Sequence, residues 1–202
     1  MTNPRLRLVV LLLLWGGAAS AAGLFRLLVQ LPPLLVPIIV AGLTIGFSWS
    51  LSRVRWLREA AAAVGVRAIL AAHLVRFVGC YFLWLETQGR LPVEFAQRAG
   101  WGDIAAAGGA LVLLFWPESK GYRRVVFWWN LIGAADLLVA VGTGGWLNLV
   151  RPGSMIELSG LPLTLVPLWL VPVLLSSHVY LLRRHLAGDP RITADSPILA
   201  RP

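Results

Sequence analysis

The sequence has a single cysteine, Cys80, and a single lysine, Lys120. One cysteine cannot form an intrachain disulfide, and it also excludes a multi-cysteine metal or iron–sulfur site. No long apolar segment contains a lysine, so a retinal Schiff base within the membrane is excluded. The motifs H-E-x-x-H, G-x-S-x-G and the Walker loop are missing too. The chemistry that those motifs support is therefore not expected.

Charge is scarce and apolar residues are abundant. Charged residues make up 13% of the chain and apolar residues 58%, whereas soluble domains have about 25% charged residues. This composition is typical of a membrane protein. As the class of the whole chain, it excludes a soluble enzyme, a disulfide-stapled secreted domain and a disordered segment.

Six apolar segments approach the roughly 20 residues that a helix needs to cross a bilayer. They are residues 8–25, 33–52, 61–85, 101–116, 125–147 and 161–182. Helices are expected because a lipid-facing backbone must satisfy its own hydrogen bonds. The sequence predicts an all-α bundle of six transmembrane helices in one domain, 1–185, and a disordered cytoplasmic tail, 186–202.

The first segment has a second interpretation. Arg5, Arg7, the leucine run and the small residues 19–21 resemble a signal peptide with a cleavage site. The apolar stretch continues to Phe25, however, and this length favours a retained helix. Cleavage would leave five helices with unchanged orientation.

The basic residues predict the orientation. With a cytoplasmic N-terminus, the inner segments hold twelve of them: Arg5, Arg7, Arg53, Arg55, Arg58, Lys120, Arg123, Arg124, Arg183, Arg184, Arg191 and Arg201. The outer segments hold four: Arg26, Arg90, Arg98 and Arg151. This imbalance favours cytoplasmic N- and C-termini. The net charge of +9 is then explained by the lipid bilayer rather than by a nucleic-acid partner.

The longest outer connection is residues 86–100. Pro92 suits the first turn of a helix and Gly100 suits its end, so we expect a short interfacial helix on the outer surface. An ordered loop is the alternative.

Small residues and prolines mark three of the predicted helices. Gly42 and Gly46 form a G-x-x-x-G pattern, and Ala61 with Gly65 forms a similar one. Such patterns let helices approach closely. Packing within the monomer is favoured, and a homo-oligomer interface is the alternative. Pro167 and Pro172 predict a bent last helix.

Three ionisable residues fall near mid-membrane, where each needs a partner. His73 and Arg76 share one face of the third span, and Asp136 lies at similar depth in the fifth. We expect an Arg76–Asp136 ion pair with His73 beside it. This cluster could be a proton or anion relay, or a structural pair that locks two helices.

Asp103 follows the start of the predicted fourth helix. A carboxylate there can cap free N–H groups. Alternatively, Asp103 belongs to an outer vestibule with Arg90, Glu94 and Arg98.

His178 suggests a low-ranked alternative, a haem b held by His73 and His178. The predicted span midpoints place His178 roughly 10 Å below His73 at 1.5 Å per residue, which argues against it. No other cofactor or metal site is expected.

Several segments carry a resemblance. The stretch RFVGCYFLWLETQGRLPVEFAQRAGWGD (76–103), the Trp129-Asn130…Gly133…Asp136 run and the proline-rich span ending in His178 resemble a family of small, uncharacterised bacterial multi-pass inner-membrane proteins. The resemblance implies a bacterial inner-membrane location and no particular activity.

Three functions remain open. A small proton-coupled or small-solute transporter ranks first, on the buried cluster and the bent last helix. A non-catalytic accessory or scaffold protein ranks close behind, and a haem-binding redox protein third. The sequence gives no specific support for an enzyme.

Overall fold

The structure, a computed structural model, describes residues 3–117 and 121–188. It is 84% helical, and these residues contain no strand. The predicted all-α class is confirmed. Lys120 and the part of the predicted tail from residue 189 onward lie outside the described residues.

Eight α-helices form the chain's described part: α1 (Pro4–Leu24), α2 (Leu35–Arg53), α3 (Arg55–Ala63), α4 (Val66–Ala72), α5 (Val78–Thr87), α6 (Val93–Phe115), α7 (Tyr122–Val150) and α8 (Val171–Leu186). A 3₁₀ segment, His73–Phe77, joins α4 to α5. A π turn, Val166–Leu170, leads into α8. Further 3₁₀ turns occupy Leu27–Gln30 and Ile156–Ser159.

Five helical stretches are long and apolar enough to cross a membrane, which indicates a membrane location. They are Pro4–Leu24, Leu35–Arg53, Val66–Thr87, Tyr122–Val150 and Val166–Leu186. Each overlaps one of the predicted spans. The fourth predicted span, 101–116, is not among them.

That fourth span belongs to a longer helix. α6 begins at Val93 and runs without a break to Phe115. The expected separate interfacial helix over 92–100 is therefore wrong, because this segment is the first part of α6. Pro92 does precede the first turn, but Gly100 lies inside the helix, where it allows close packing instead of ending it.

The third predicted span begins too early. Residues 55–63 form the separate helix α3, which buries Leu57, Ala60 and Ala61 and exposes Arg55 and Glu59. Such a two-sided helix suits a surface better than a bilayer core. Ala61 lies on α3 and Gly65 lies just before α4, so the predicted small-residue pattern does not lie on one helix.

The predicted packing role of Gly42 and Gly46 is also wrong. Both are exposed on α2, and a Cβ added at either would meet nothing within 4 Å. They do not bring helices together within the monomer. The homo-oligomer alternative stays a prediction.

α6 packs against both α5 and α7. Small residues make this possible, because a Cβ at Gly79 on α5 would collide with the carbonyl oxygen of Gly100 on α6. The close approach places α6 residues directly against the 3₁₀ segment before α5. This contact positions the buried polar site.

Candidate functional site

Arg76 is the centre of a buried ionic cluster, on the 3₁₀ segment between α4 and α5. Its side chain is 1% exposed. Nε donates a hydrogen bond of 2.6 Å to Oδ1 of Asp103 on α6. Nη2 donates to Oδ2 of Asp136 on α7, and Nη1 donates to the carbonyl oxygen of Gly133 at 3.2 Å. One guanidinium therefore joins three elements of the bundle.

The structure thus brings Arg76 and Asp136 together and adds Asp103, which the sequence analysis placed elsewhere. The capping role predicted for Asp103 is wrong, because α6 begins at Val93 and Asp103 lies almost three turns into it. Its side chain is 8% exposed and that of Asp136 is 19% exposed. A capping interpretation followed only from the misplaced start of the helix.

Formal charges in the cluster do not cancel. With both carboxylates ionised, the two carboxylates and the one guanidinium would leave an excess of one negative charge among the described residues. Uncompensated charge is expensive when it is buried. The charge balance therefore favours uptake of one proton or one cation over uptake of an anion.

His73 and His178 lie next to this cluster, both at most 1% exposed. Ser177 donates its hydroxyl hydrogen to the carbonyl oxygen of Leu174, so it can only accept from Nε2 of His73, 3.0 Å away. Asn130 donates its amide to the carbonyl oxygen of His178. Its Oδ1 then accepts from Nδ1 of His178 at 2.8 Å.

These hydrogen bonds determine the neutral tautomers. Each ring carries its proton on the nitrogen that donates, which leaves Nδ1 of His73 and Nε2 of His178 as lone pairs. Both nitrogens are buried and have no hydrogen-bond partner in the structure. Two proton acceptors therefore lie beside the ionic cluster.

The predicted depth difference between the two histidines is wrong. Their ring centroids are 4.5 Å apart. The last long helix spans residues 166–186 instead of 161–182, which moves its midpoint toward His178. A haem between the two rings would require them to separate, because rings in direct contact leave no space for a porphyrin.

A cavity of about 300 Å³ lies in one half of the bundle and reaches Asp103. Its walls come from the first halves of α2 and α6, the second half of α7, Phe82 of α5, and the segment from the π turn to Val171, the first residue of α8. Residues 28–33 and 152–159 surround its other end. The walls are mostly apolar, and Asp103 is the charged residue that lines them.

The other predicted vestibule residues lie apart from Asp103. Arg90 forms a two-bond ion pair with Glu157, at 2.7 and 3.1 Å, and this hydrogen bonding raises the pKa of the Arg90 guanidinium above its ordinary value. Glu94 accepts a 2.6 Å hydrogen bond from Arg151. Arg98 is exposed on α6. The Arg90–Glu157 and Arg151–Glu94 ion pairs connect surface segments. Neither pair includes a residue of the buried ionic cluster.

Sequence reasoning missed Asn130 and Ser177 as partners of the two histidines. At both positions the sequence shows a polar side chain within an apolar span. The sequence around them does not indicate which residue each would hydrogen-bond. Asn130 is 3% exposed and lies two turns before Leu137 on α7. Its role depends on how α7 and α8 pack, which no local pattern encodes.

A family model described as Domain of unknown function (DUF8737) matches residues 33–186. The chain belongs to this family. The match includes α2 to α8 and every residue of the buried cluster. No curated protein and no solved structure matches the chain.

Proposed function

We propose that this protein is a bacterial inner-membrane transporter that exchanges protons for a small solute through a six-helix bundle. The observation that carries the proposal is the cavity that ends at Asp103, whose carboxylate is bonded to Arg76. An accessible cavity with an ionisable group at mid-membrane depth is what coupled transport requires.

The sixth crossing in this proposal is α6. At 1.5 Å per residue, its 23 residues extend about 34 Å, enough for a bilayer core of about 30 Å. Its neighbours α5 and α7 belong to long apolar stretches. An α6 that did not cross would leave Asp103 and Arg76 without the surrounding bundle that makes their burial tolerable.

The distribution of basic residues supports cytoplasmic termini. With this orientation, the cavity opens toward the outer side and Asp103 lies at its inner end. On the cytoplasmic side of Asp103 follow Arg76, the two histidines and Asn130. This order would let a proton that leaves the carboxylates reach the histidine lone pairs before the cytoplasm.

The segment from the π turn into α8 supplies the moving part of this proposal. The π turn at Val166–Leu170 and Pro172 interrupt regular hydrogen bonding in the segment that lines the cavity. α8 also carries His178 and Ser177. A rocking movement of this helix would change the cavity and the histidine contacts together.

The test is solute-driven proton flux in proteoliposomes that contain a trapped pH indicator dye. We expect at least one class in a panel of organic cations, anions and neutral solutes to drive flux with the wild-type protein. Asp103→Asn should abolish it, because an amide carries no exchangeable proton. Glu86→Gln is the matched control, since Glu86 pairs with Gln97 at the surface and should leave flux unchanged.

Absence of solute-driven flux from a folded, uniformly oriented sample would overturn the proposal. It would leave a non-transporting accessory protein as the remaining interpretation.

A further inference from the structure

The shape and charge of the cavity point to a ligand class. We infer that the cavity binds an organic monocation with an apolar body, whose charged group contacts Asp103 and competes there with a proton. The inference rests on the proposed function for its transport role but not for binding itself.

Charge selects a cation. The Arg76 guanidinium is committed to Asp103, Asp136 and the Gly133 carbonyl. A cation at Asp103 would neutralise the one excess negative charge of the cluster, whereas an anion would double it. Charges in a medium of low dielectric constant interact strongly. This difference in net charge therefore favours binding of a cation over binding of an anion.

Asp103 has an oxygen available for the ligand. Oδ1 accepts the Arg76 hydrogen bond, and among the described residues no further hydrogen bond to this carboxylate is present. Asp103 is also a wall residue of the cavity. The second oxygen, Oδ2, can therefore contact a ligand in the cavity while Oδ1 keeps its bond to Arg76.

The cavity walls select an apolar body. Phe82 and Phe95 line the cavity, with ring centroids 5.5 Å apart. Val40, Leu137 and Val171 line it as well. Aromatic faces attract organic cations, most strongly where water is excluded. A volume of about 300 Å³ equals about ten water molecules, which suits a phenyl ring with a quaternary ammonium group.

The groups around Asp103 determine how binding depends on pH. Arg76 faces it from the 3₁₀ segment, and Asp136 approaches the same guanidinium from α7. His178 and Arg76 both lie against Gly133, and the ring of His73 contacts that of His178. On α5, Gly79 lies next to Asp103. A proton can occupy the cluster when no cation is bound, whereas a cation requires both carboxylates to be ionised. At a pH where the unliganded cluster holds this proton, binding should therefore release it and weaken up to tenfold for each unit that the pH falls.

The experiment is isothermal titration of the detergent-solubilised protein with phenyltrimethylammonium. Benzenesulfonate is the anionic comparison, benzyl alcohol the neutral one, and empty micelles give the background. Titrations in two buffers of different ionisation enthalpy count the protons released. We expect phenyltrimethylammonium to bind at least a hundredfold more tightly than benzenesulfonate, with proton release.

Two variants separate the charge from the cavity. Asp103→Asn should weaken cation binding at least tenfold, and Ala140→Phe, which fills the cavity without touching the charge, should weaken it similarly. Glu86→Gln should bind like the wild type. If Asp103→Asn does not fold, proton release by the wild type and the effect of Ala140→Phe still test the inference.

Several outcomes would overturn the inference: equal binding of the cation and the anion, no proton release at any pH across a series of titrations from pH 5 to pH 8, or unchanged binding in both cavity variants. Cation binding without solute-driven flux would retain the ligand site and overturn transport. Flux driven by a different solute class, without cation binding, would retain transport and overturn the ligand class.

Discussion

Gly102 shows how one missing side chain makes room for the ionic cluster. A Cβ at Gly102 on α6 would collide with the Asp136 carboxylate on α7. Asp136 can reach Arg76 only because this space is empty. The sequence shows Gly102 next to Asp103, yet only the packing of α6 and α7 gives that glycine its purpose.

Gly102→Ala should destabilise the protein by about 1–3 kcal/mol, the usual effect of overpacking a well-packed site. Gly108→Ala is the matched control on the same helix, since a Cβ there meets nothing within 4 Å. It should be neutral or slightly stabilising, because alanine is the better helix former. Thermal unfolding in detergent measures both variants, and equal melting temperatures would contradict the contact.

Arg76→Gln should be among the most destabilising single changes in the chain. It leaves two carboxylates inside the bundle without their cation, and breaking a buried pair in this way costs about 3–5 kcal/mol. Asp136→Asn removes only one partner and restores formal neutrality, so it should cost less. Arg58→Gln, at an exposed position of α3, is the control. Chemical or thermal unfolding in which Arg76→Gln is no less stable than Arg58→Gln would reject the ionic cluster as a structural centre.

At the scale of elements, α6 determines the architecture of the site. It carries Asp103, supplies the glycines that admit α5 and α7, and forms part of the cavity wall. Three charged residues, Glu94, Arg98 and Asp103, lie on it. These charges interrupt the apolar pattern of the sequence near residue 100, although the hydrogen-bonded helix continues through this region.

Trp101→Pro distinguishes a continuous α6 from a helix that begins at residue 101. Proline is tolerated in a first turn but costs about 3 kcal/mol inside a helix. We expect a large drop in thermal stability, because Trp101 lies in the interior of α6. Trp101→Ala controls for loss of the exposed side chain, and Val93→Pro, at the first residue of α6, should be tolerated. Equal stability of the two proline variants would mean that α6 is broken.

At the scale of the whole molecule, the proposed orientation depends on charges that lie in the segments between the long helices. Arg58 is exposed on α3 and Gln88 is exposed after α5. Six crossings with a cytoplasmic N-terminus place these two residues on opposite sides of the membrane. The two positions therefore report the orientation of the entire bundle.

Cysteine labelling in intact cells tests this orientation. In a Cys80→Ala background, Gln88→Cys should react with a maleimide that cannot cross the inner membrane. Arg58→Cys should react only after the membrane is opened. The opposite pattern would invert the cavity, and labelling of both positions from outside would contradict the crossing between them.

The amino-acid sequence by itself determined the helical class, the apolar stretches and the short set of residues that need buried partners. These follow from composition and from local periodicity, which a single helix already expresses. His73, Arg76 and Asp136 were found in this way, because a charge within an apolar run is visible without a fold.

Only the tertiary structure decided which of these residues meet. Asp103 joined Arg76 because α6 begins eight residues earlier than its apolar run, and His178 met His73 because the last helix is shifted and interrupted by a π turn. Gly42 and Gly102 are both glycines in apolar helices, but Gly42 lies on an open helix face and Gly102 lies in a tight contact. Their roles differ because distances between helices depend on residues far apart in the chain, which no local pattern contains.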